Sequence, residues 1–211
     1  MNTQKINKET ETNKVCIAGI ISSGPVFSHE VFGERFYTMC VDAIRVSGTV
    51  DAIPVIVSER LFDVTQDYCG MEVVVTGQFR SHNRHDGTRN RLILSVFALG
   101  IDFEPQGHEK GINEILIEGC ICKNPVYRIT PSGREIADIM LAVKRDCGKS
   151  DYIPCICWGR NARYASAFPV GGHVLIWGRI QSREYVKKIS EEETQKRTAY
   201  EISVSKLEYI D

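Results

Sequence analysis

The chain has 211 residues, 43% of them hydrophobic and 25% charged, with a formal net charge of −1. Such a composition supports one or two globular domains with buried cores, and it excludes a low-complexity or strongly basic protein. No run approaches the roughly 18 continuous apolar residues of a membrane span, and residues 1–13 are almost wholly polar, so a disordered arm rather than a leader and a soluble, cytoplasmic protein are expected.

After that arm, periodicity predicts strands near 14–21, 36–46 and 52–57, a helical stretch near Glu59–Tyr68, and strands near 71–79 and 91–101. Glu104–Gly111, with Pro105, Gly107 and Gly111, reads as a linker. The same order then returns. Glu114–Ile121 alternates apolar and polar residues around Gly119, as expected of a strand bent or bulged at a barrel corner. Asn124-Pro125 and Thr130-Pro131-Ser132-Gly133 frame a short loop, followed by strands over Ile136–Val143 and Tyr152–Trp158. Ala162, Ala165 and Phe168 recur at helical spacing within Asn161–Phe168, which Pro169 and Gly171-Gly172 stop. Val174–Gly178 starts a fourth strand towards Tyr185, polar residues 187–198 form a long loop, and Tyr200–Tyr209 is the fifth strand.

A shift of 100 residues aligns Gly19/Gly119, Pro25/Pro125, Gly33/Gly133, Arg45/Arg145, Gly48/Gly148, Asp51/Asp151 and Pro54/Pro154. Between residues 15 and 57 it gives twelve identities in 43 positions without a gap. After one inserted residue the match resumes at Gly70/Gly171, Gly77/Gly178 and Ser81/Ser182. A period near a hundred residues is too long for a solenoid unit and fits a small domain, so the expected organisation is an arm (1–13), a first domain (14–104), a linker (105–111) and a second domain (112–211). Five strands with one helix between the third and fourth describe an OB-fold barrel. The expected fold is therefore all-β, two tandem five-stranded OB barrels, with a small β-sandwich as the competing architecture that the helix slot and the strand glycines disfavour.

The eight cysteines call for a separate reading. Without a secretion signal, disulfides are the wrong default. Cys120-x-Cys122 and Cys155-x-Cys157 offer four thiolates for zinc, but each pair lies inside an apolar run whose period of two places both sulfurs on one side of a strand. Buried core thiols are expected, with no metal and no cofactor. Charge is mildly asymmetric: residues 1–110 carry 11 Lys/Arg against 14 Asp/Glu, and residues 111–211 carry 15 against 13. A nucleic-acid partner would have to be held by locally arranged charge together with other contacts.

An OB barrel binds oligonucleotides across one face, with aromatic rings stacking on bases for roughly 1–3 kcal/mol each and Lys/Arg following the phosphates. The second unit has this combination. Tyr152 and Trp158 are six apart on one strand and so share a face, with Ile156 in phase between them. Alternation sets Arg179, Gln181, Arg183 and Tyr185 together, next to Lys187 and Lys188. The competing reading is core packing for each ring, Trp158 above all, and a solvated strand face for the cations.

The ordered set Pro125, Tyr127, Thr130-Pro131-Ser132-Gly133, Ala137, Leu141-Ala142-Val143, Arg145, Cys157-Trp158-Gly159-Arg160-Asn161-Ala162, Gly172 and Gly178-Arg179-Ile180-Gln181-Ser182-Arg183 resembles the bacterial single-stranded DNA-binding proteins. The first unit resembles them more weakly, through Gly19, Pro25, Gly33, Arg45, Gly70, Gly77 and Arg80. The resemblance implies sequence-independent single-strand binding in replication, recombination or repair, with stacking residues falling on Tyr152, Trp158 and Tyr185 and a cation on Arg160. A fourth stacking position falls on Cys147, and in the first unit the matching positions are Ala52, Ser58 and Arg84, leaving Arg80, His82, Arg84, His85, Arg89 and Arg91 as a loop of phosphate contacts without a base platform. The second unit is accordingly expected to be the principal reader and the first a weaker backbone contact or a docking module. Four OB domains are usual in that family, so a homodimer is implied, and the sequence stops at Ile210-Asp211 without the acidic tip that recruits repair and replication proteins. No Gly-rich phosphate loop, H-E-x-x-H or G-x-S-x-G occurs, and the histidines mostly sit in predicted loops, so an enzyme is not expected. An OB scaffold resembling a primosomal accessory and an RNA-binding protein remain as rival readings.

Overall fold

Alternation of apolar and polar residues drives nearly the whole chain into strands, because it gives each segment one side to bury and backbone groups that only lateral pairing satisfies. The computed structural model describes residues 12–86, 89–103, 105, 111–145, 147–188 and 194–210. Residues 1–11 of the predicted N-terminal arm and most of the predicted linker lie outside the described residues, whereas Asn13, expected in the arm, opens the first strand and bonds through its side-chain amide to the Phe79 backbone. Strands β1 (Asn13–Val31), β2 (Glu34–Ile44), β3 (Val50–Ser58), β4 (Glu72–Asp86) and β5 (Arg89–Asp102) are followed by β6 (Asn113–Ile121), β7 (Val126–Ile129), β8 (Glu135–Lys144), β9 (Ser150–Trp158), β10 (His173–Lys188) and β11 (Thr194–Ile210).

Strand β1 pairs antiparallel with both β2 and β4, β2 with β3, and β4 with β5, while β3 meets β5 in parallel. These pairings close a five-stranded barrel consistent with the OB fold. In the later half the pairings run β6–β8, β8–β9, β9–β11 (parallel), β11–β10 and β10–β6. Inward positions such as Ile17, Val41, Ile53 and Val75, and Ile117, Leu141, Ile153 and Ile176, are fully buried. Gly77 and Gly178 lie beside bulges in the partner strands, where Leu99 of β5 and Ser205 of β11 are the extra residues, and a Cβ on either glycine would come within 2.2 Å of the Phe97 carbonyl oxygen and 2.4 Å of the Ser203 carbonyl oxygen. Only glycine lets the strand turn that corner.

Several elements differ from expectation. The helical stretch over 59–68 is a single 3-10 turn, Glu59–Leu61, and the later helix, α1, is confined to Arg160–Ala165. Tyr68 explains the first difference: its ring is buried against Phe62 and Phe103, and its hydroxyl accepts the Asp63 N–H, so the segment is fixed by side-chain packing without a helix. The polar segments 80–86 and 194–199 are strand rather than loop, since β4 and β5, and β10 and β11, pair well beyond the barrel. The side chains of 82–84 and 194–196 meet solvent, so no apolar alternation marks them. Of the cysteines, Cys155 and Cys157 are buried as expected, whereas Cys120 is exposed and Cys122 only half-buried, because Cys120 takes the outward phase of β6 between buried Gly119 and Ile121, and Cys122 follows the end of the strand. All eight are free thiols, and no group of three metal-ligating side chains gathers among the described residues.

The two halves are joined edge to edge. Strands β1 and β6 run antiparallel, with Val15 opposite Ile115 and Cys16 opposite Glu114, so the buried apolar residues of both halves form one cluster. On each side of this seam an aspartate repeats the same device. Arg45 Nε and Nη2 donate to Asp51 at 2.6 Å each, and Asp51 Oδ1 accepts the Ser182 N–H at 2.8 Å. Arg145 likewise chelates Asp151, whose Oδ1 accepts the Ser81 N–H at 2.5 Å. Both carboxylates are inaccessible, at 0% and 1% exposure, so each charge depends on its full set of donors.

Candidate nucleic-acid interface

The outward side of β9 presents Tyr152, Pro154, Ile156 and Trp158 in alternation with buried Asp151, Ile153, Cys155 and Cys157. Their β8 partners are Ala142, Met140, Asp138 and Ile136. Ile156 continues this side of the sheet to Ser203 of β11, and Ser203 to Arg179 of β10. Further along β10, Gln181, Arg183 and Tyr185 face Glu201, Ala199 and Arg197. Tyr152, Trp158 and Tyr185 are 45%, 37% and 36% exposed, far from core packing, while Ile156 at 6% forms an apolar floor between the first two. Half-exposed rings beside an apolar floor are reachable by a planar ligand that can stack on them.

The cations are less uniform than their spacing implies. Arg179 is half-buried in a cleft between the halves, beside Arg45, Val46 and Asn113, where burial and the Arg45 charge hold its guanidinium below the ordinary range against the pull of Asp51. Gln181 is buried and donates to Glu201 at 2.7 Å, and Arg183 Nε lies 4.0 Å from the same carboxylate with its side chain largely in solvent. The open part of the predicted strip is therefore Arg183 and Tyr185. Arg160 opens α1 directly after Trp158 and Gly159 and is exposed. Lys187 pairs with Gln195 through the backbone, and its side chain lies outside the described residues. Arg84 is exposed opposite Arg91, and the Arg80 guanidinium carbon sits 3.9 Å over the Phe97 ring centroid, with Gln78 accepting from Nε and Nη2. Cys147 is exposed in the turn before β9.

Spacing alone does not reveal Ser81. Its Oγ accepts the Tyr152 N–H at 2.8 Å, its N–H donates to Asp151, and its carbonyl accepts Arg145 Nη2 at 2.9 Å. A residue of the first half thus fixes the backbone beneath a candidate stacking ring of the second. The signal in the sequence is the recurrence of Ser81 as Ser182, which has no chemistry of its own until the seam is seen.

A family model described as the single-strand binding protein family matches residues 112–210. The chain is similar to Single-stranded DNA-binding protein A of Bacillus subtilis (strain 168), 32% identical over 81 residues that cover 35% of this chain and 47% of that protein. Single-stranded DNA-binding protein 2 of Listeria innocua is 33% identical over 81 residues, 35% of this chain and 51% of that protein. The chain spans about half the length of these two curated relatives. Single-stranded DNA-binding protein B of Bacillus subtilis (strain 168) is 30% identical over 80 residues, which cover 35% of this chain and 71% of that protein. In fold, the chain resembles the wild-type single-stranded DNA binding protein from Thermus aquaticus with a TM-score of 0.75 at 18% identity, over 94% of this chain and 93% of that one. With its Tyr152–Trp158 wall on a closed five-stranded barrel and these relatives, the chain belongs to the single-strand binding protein family.

Proposed function

We propose that this protein binds single-stranded DNA without sequence preference, stacking bases on Tyr152, Trp158 and Tyr185 and holding phosphates with Arg160, Arg183 and Lys187, while Arg179, Arg80 and Arg84 add electrostatic attraction from positions nearer the seam. The observation that carries this reading is three aromatic side chains, each more than one-third exposed, on the outward wall of one barrel. Residues 14–104 and 112–211 act as two tandem OB domains, each with a short helical element between its third and fourth strands, and the second is the principal reader. Two such chains forming a homodimer would present four barrels, and the protein serves replication, recombination or repair in the cytoplasm, with contacts to proteins of those processes. Among the described residues no helix is long and apolar enough to cross a membrane.

Titration with oligo(dT), oligo(U) and duplex DNA at two salt concentrations tests this reading. Quenching of Trp158 fluorescence by oligo(dT) but not by duplex is expected, with a shallow salt slope because few phosphates are engaged. Tyr152→Ala with Trp158→Ala should weaken oligo(dT) binding about a hundredfold, following the roughly 1–3 kcal/mol that each stacked base contributes in single-strand binding proteins of this kind, and far more than Arg80→Ala with Arg84→Ala does. Silence with every nucleic acid would point to a protein-docking scaffold, and equal affinity for oligo(U) to RNA.

A further inference from the structure

In the first half, the aromatic mass has moved rather than vanished. The sheet row that carries Arg128, Ile136 and Trp158 in the second half carries His29, Phe36 and Ser58 in the first. In the next row, Ser203 is replaced by Phe97, which pairs with Ile56 on one side and Gln78 on the other. The ring lost from β3 is thus compensated on β1, β2 and β5, on the same outward side of the sheet.

These groups are already stacked on one another. The His29 ring lies parallel to Phe36, with centroids 5.0 Å apart and planes 11° apart, and Phe36 stands 5.7 Å from Phe97. The Arg80 guanidinium covers the other ring, its Cζ 3.9 Å above the Phe97 centroid, and Gln78 Oε1 accepts from both Nε and Nη2. Phe36 is buried at 9% exposure while His29 is open to solvent, so the phenyl ring acts as a backing plate and the imidazole presents the free face. His82 stands near His29, Arg84 and Arg145. Two planar polar groups, each seated on a phenyl ring and set among cations, make a surface on which unpaired bases stack and phosphates find charge, since guanidinium and imidazole planes serve as base platforms as aromatic rings do.

We propose that the first half carries its own base-stacking platform, formed by His29 on Phe36 and Arg80 on Phe97, so that a strand long enough to leave the Tyr152–Trp158 wall is read by both halves. This rests on the single-strand-binding reading above. It replaces the sequence-based expectation of a first unit with phosphate contacts and no platform.

The test measures affinity of the full chain for a long oligo(dT), for the same strand with abasic sites throughout, and for a short oligomer that fills only one barrel. His29→Ala with Arg80→Ala should weaken long oligo(dT) binding about tenfold, with a clearly smaller loss for the abasic strand, which keeps the phosphates and lacks the bases, and unaltered thermal unfolding. Arg80→Lys keeps the charge and discards the plane, so it should behave as Arg80→Ala does. In a ¹H–¹³C spectrum the His29 ring signal should shift upfield on saturation with the long strand. Full affinity in the double variant, rescue by Arg80→Lys together with an equal loss on the abasic strand, or an unmoved His29 signal while Trp158 is quenched overturns the platform and leaves the second-half reading intact. Absence of any binding by the unaltered chain removes both.

Discussion

Asp51 and Asp151 occupy matching places, each chelated by the arginine six residues before it and each accepting a backbone N–H from the opposite half. One residue further on, Ala52 stands where the second half has Tyr152, and Ser58 where it has Trp158. The two halves therefore agree where they touch and diverge where they face solvent. A carboxylate buried to this degree is tolerated only with all its donors in place, so neither it nor its arginine is free to drift, whereas, among the described residues, no buried charge constrains Ala52 or Ser58 of the first half or their counterparts in the second.

The seam is the place to break this comparison hardest. Asp51→Ala and Asp151→Ala each strand an arginine and an N–H of the opposite half, and each should cost about 3–5 kcal/mol in urea unfolding, the usual penalty for removing one partner of a buried pair. Equal losses would establish the two clamps as equivalent, and a loss below about 1 kcal/mol at either would mean that water replaces the carboxylate there.

A smaller effect separates the clamps. Ser81 Oγ accepts the Tyr152 N–H, but Ser182 Oγ lies at 3.4 Å from Asp51 and, among the described residues, does not accept the matching Ala52 N–H. Ser81→Ala should cost about 1 kcal/mol and weaken oligo(dT) binding several-fold by loosening the strand under Tyr152, while Ser182→Ala leaves affinity unchanged. The two variants compared by Trp158 quenching decide it, and equal affinities would disconnect the seam from the wall.

The smallest effect lies in the core, where Val55 and Val57 stand in place of Cys155 and Cys157. Burial raises both thiols, Cys157 to about 12. An unfolded thiol ionises near 9 and the native one does not, so stability is fully present below pH 9 and falls as pH rises from there towards 12. Cys155→Val with Cys157→Val should change stability at pH 7 by about 1 kcal/mol and flatten its decline between pH 8.5 and 10.5 in urea unfolding. An undiminished decline would assign that pH dependence to other groups.

Sequence alone was sufficient for the all-β class and the outward sharing of Tyr152 and Trp158, but not for β7, which lies where turn residues predict a short loop. The first two follow from local rules: the period of two, the turn residues, and glycines at corners where a Cβ would strike a carbonyl. The position of Tyr185 followed as well, since the extra residue of the β10–β11 ladder, Ser205, lies on β11 and leaves the alternation of β10 intact. The repeat was equally plain, but its meaning was not, because recurrence of Arg, Asp and Ser says nothing about which half their side chains address. Only the tertiary structure set Arg45, Asp51 and Ser182 at one seam, drew Arg179 from the wall into the cleft beside it, and extended β4 and β10 into polar ribbons. Only it placed His29, Phe36, Phe97 and Arg80 in contact, from three separate stretches of chain. Their stacking depends on pairing between strands distant in sequence, and no periodicity within one strand encodes the register of another.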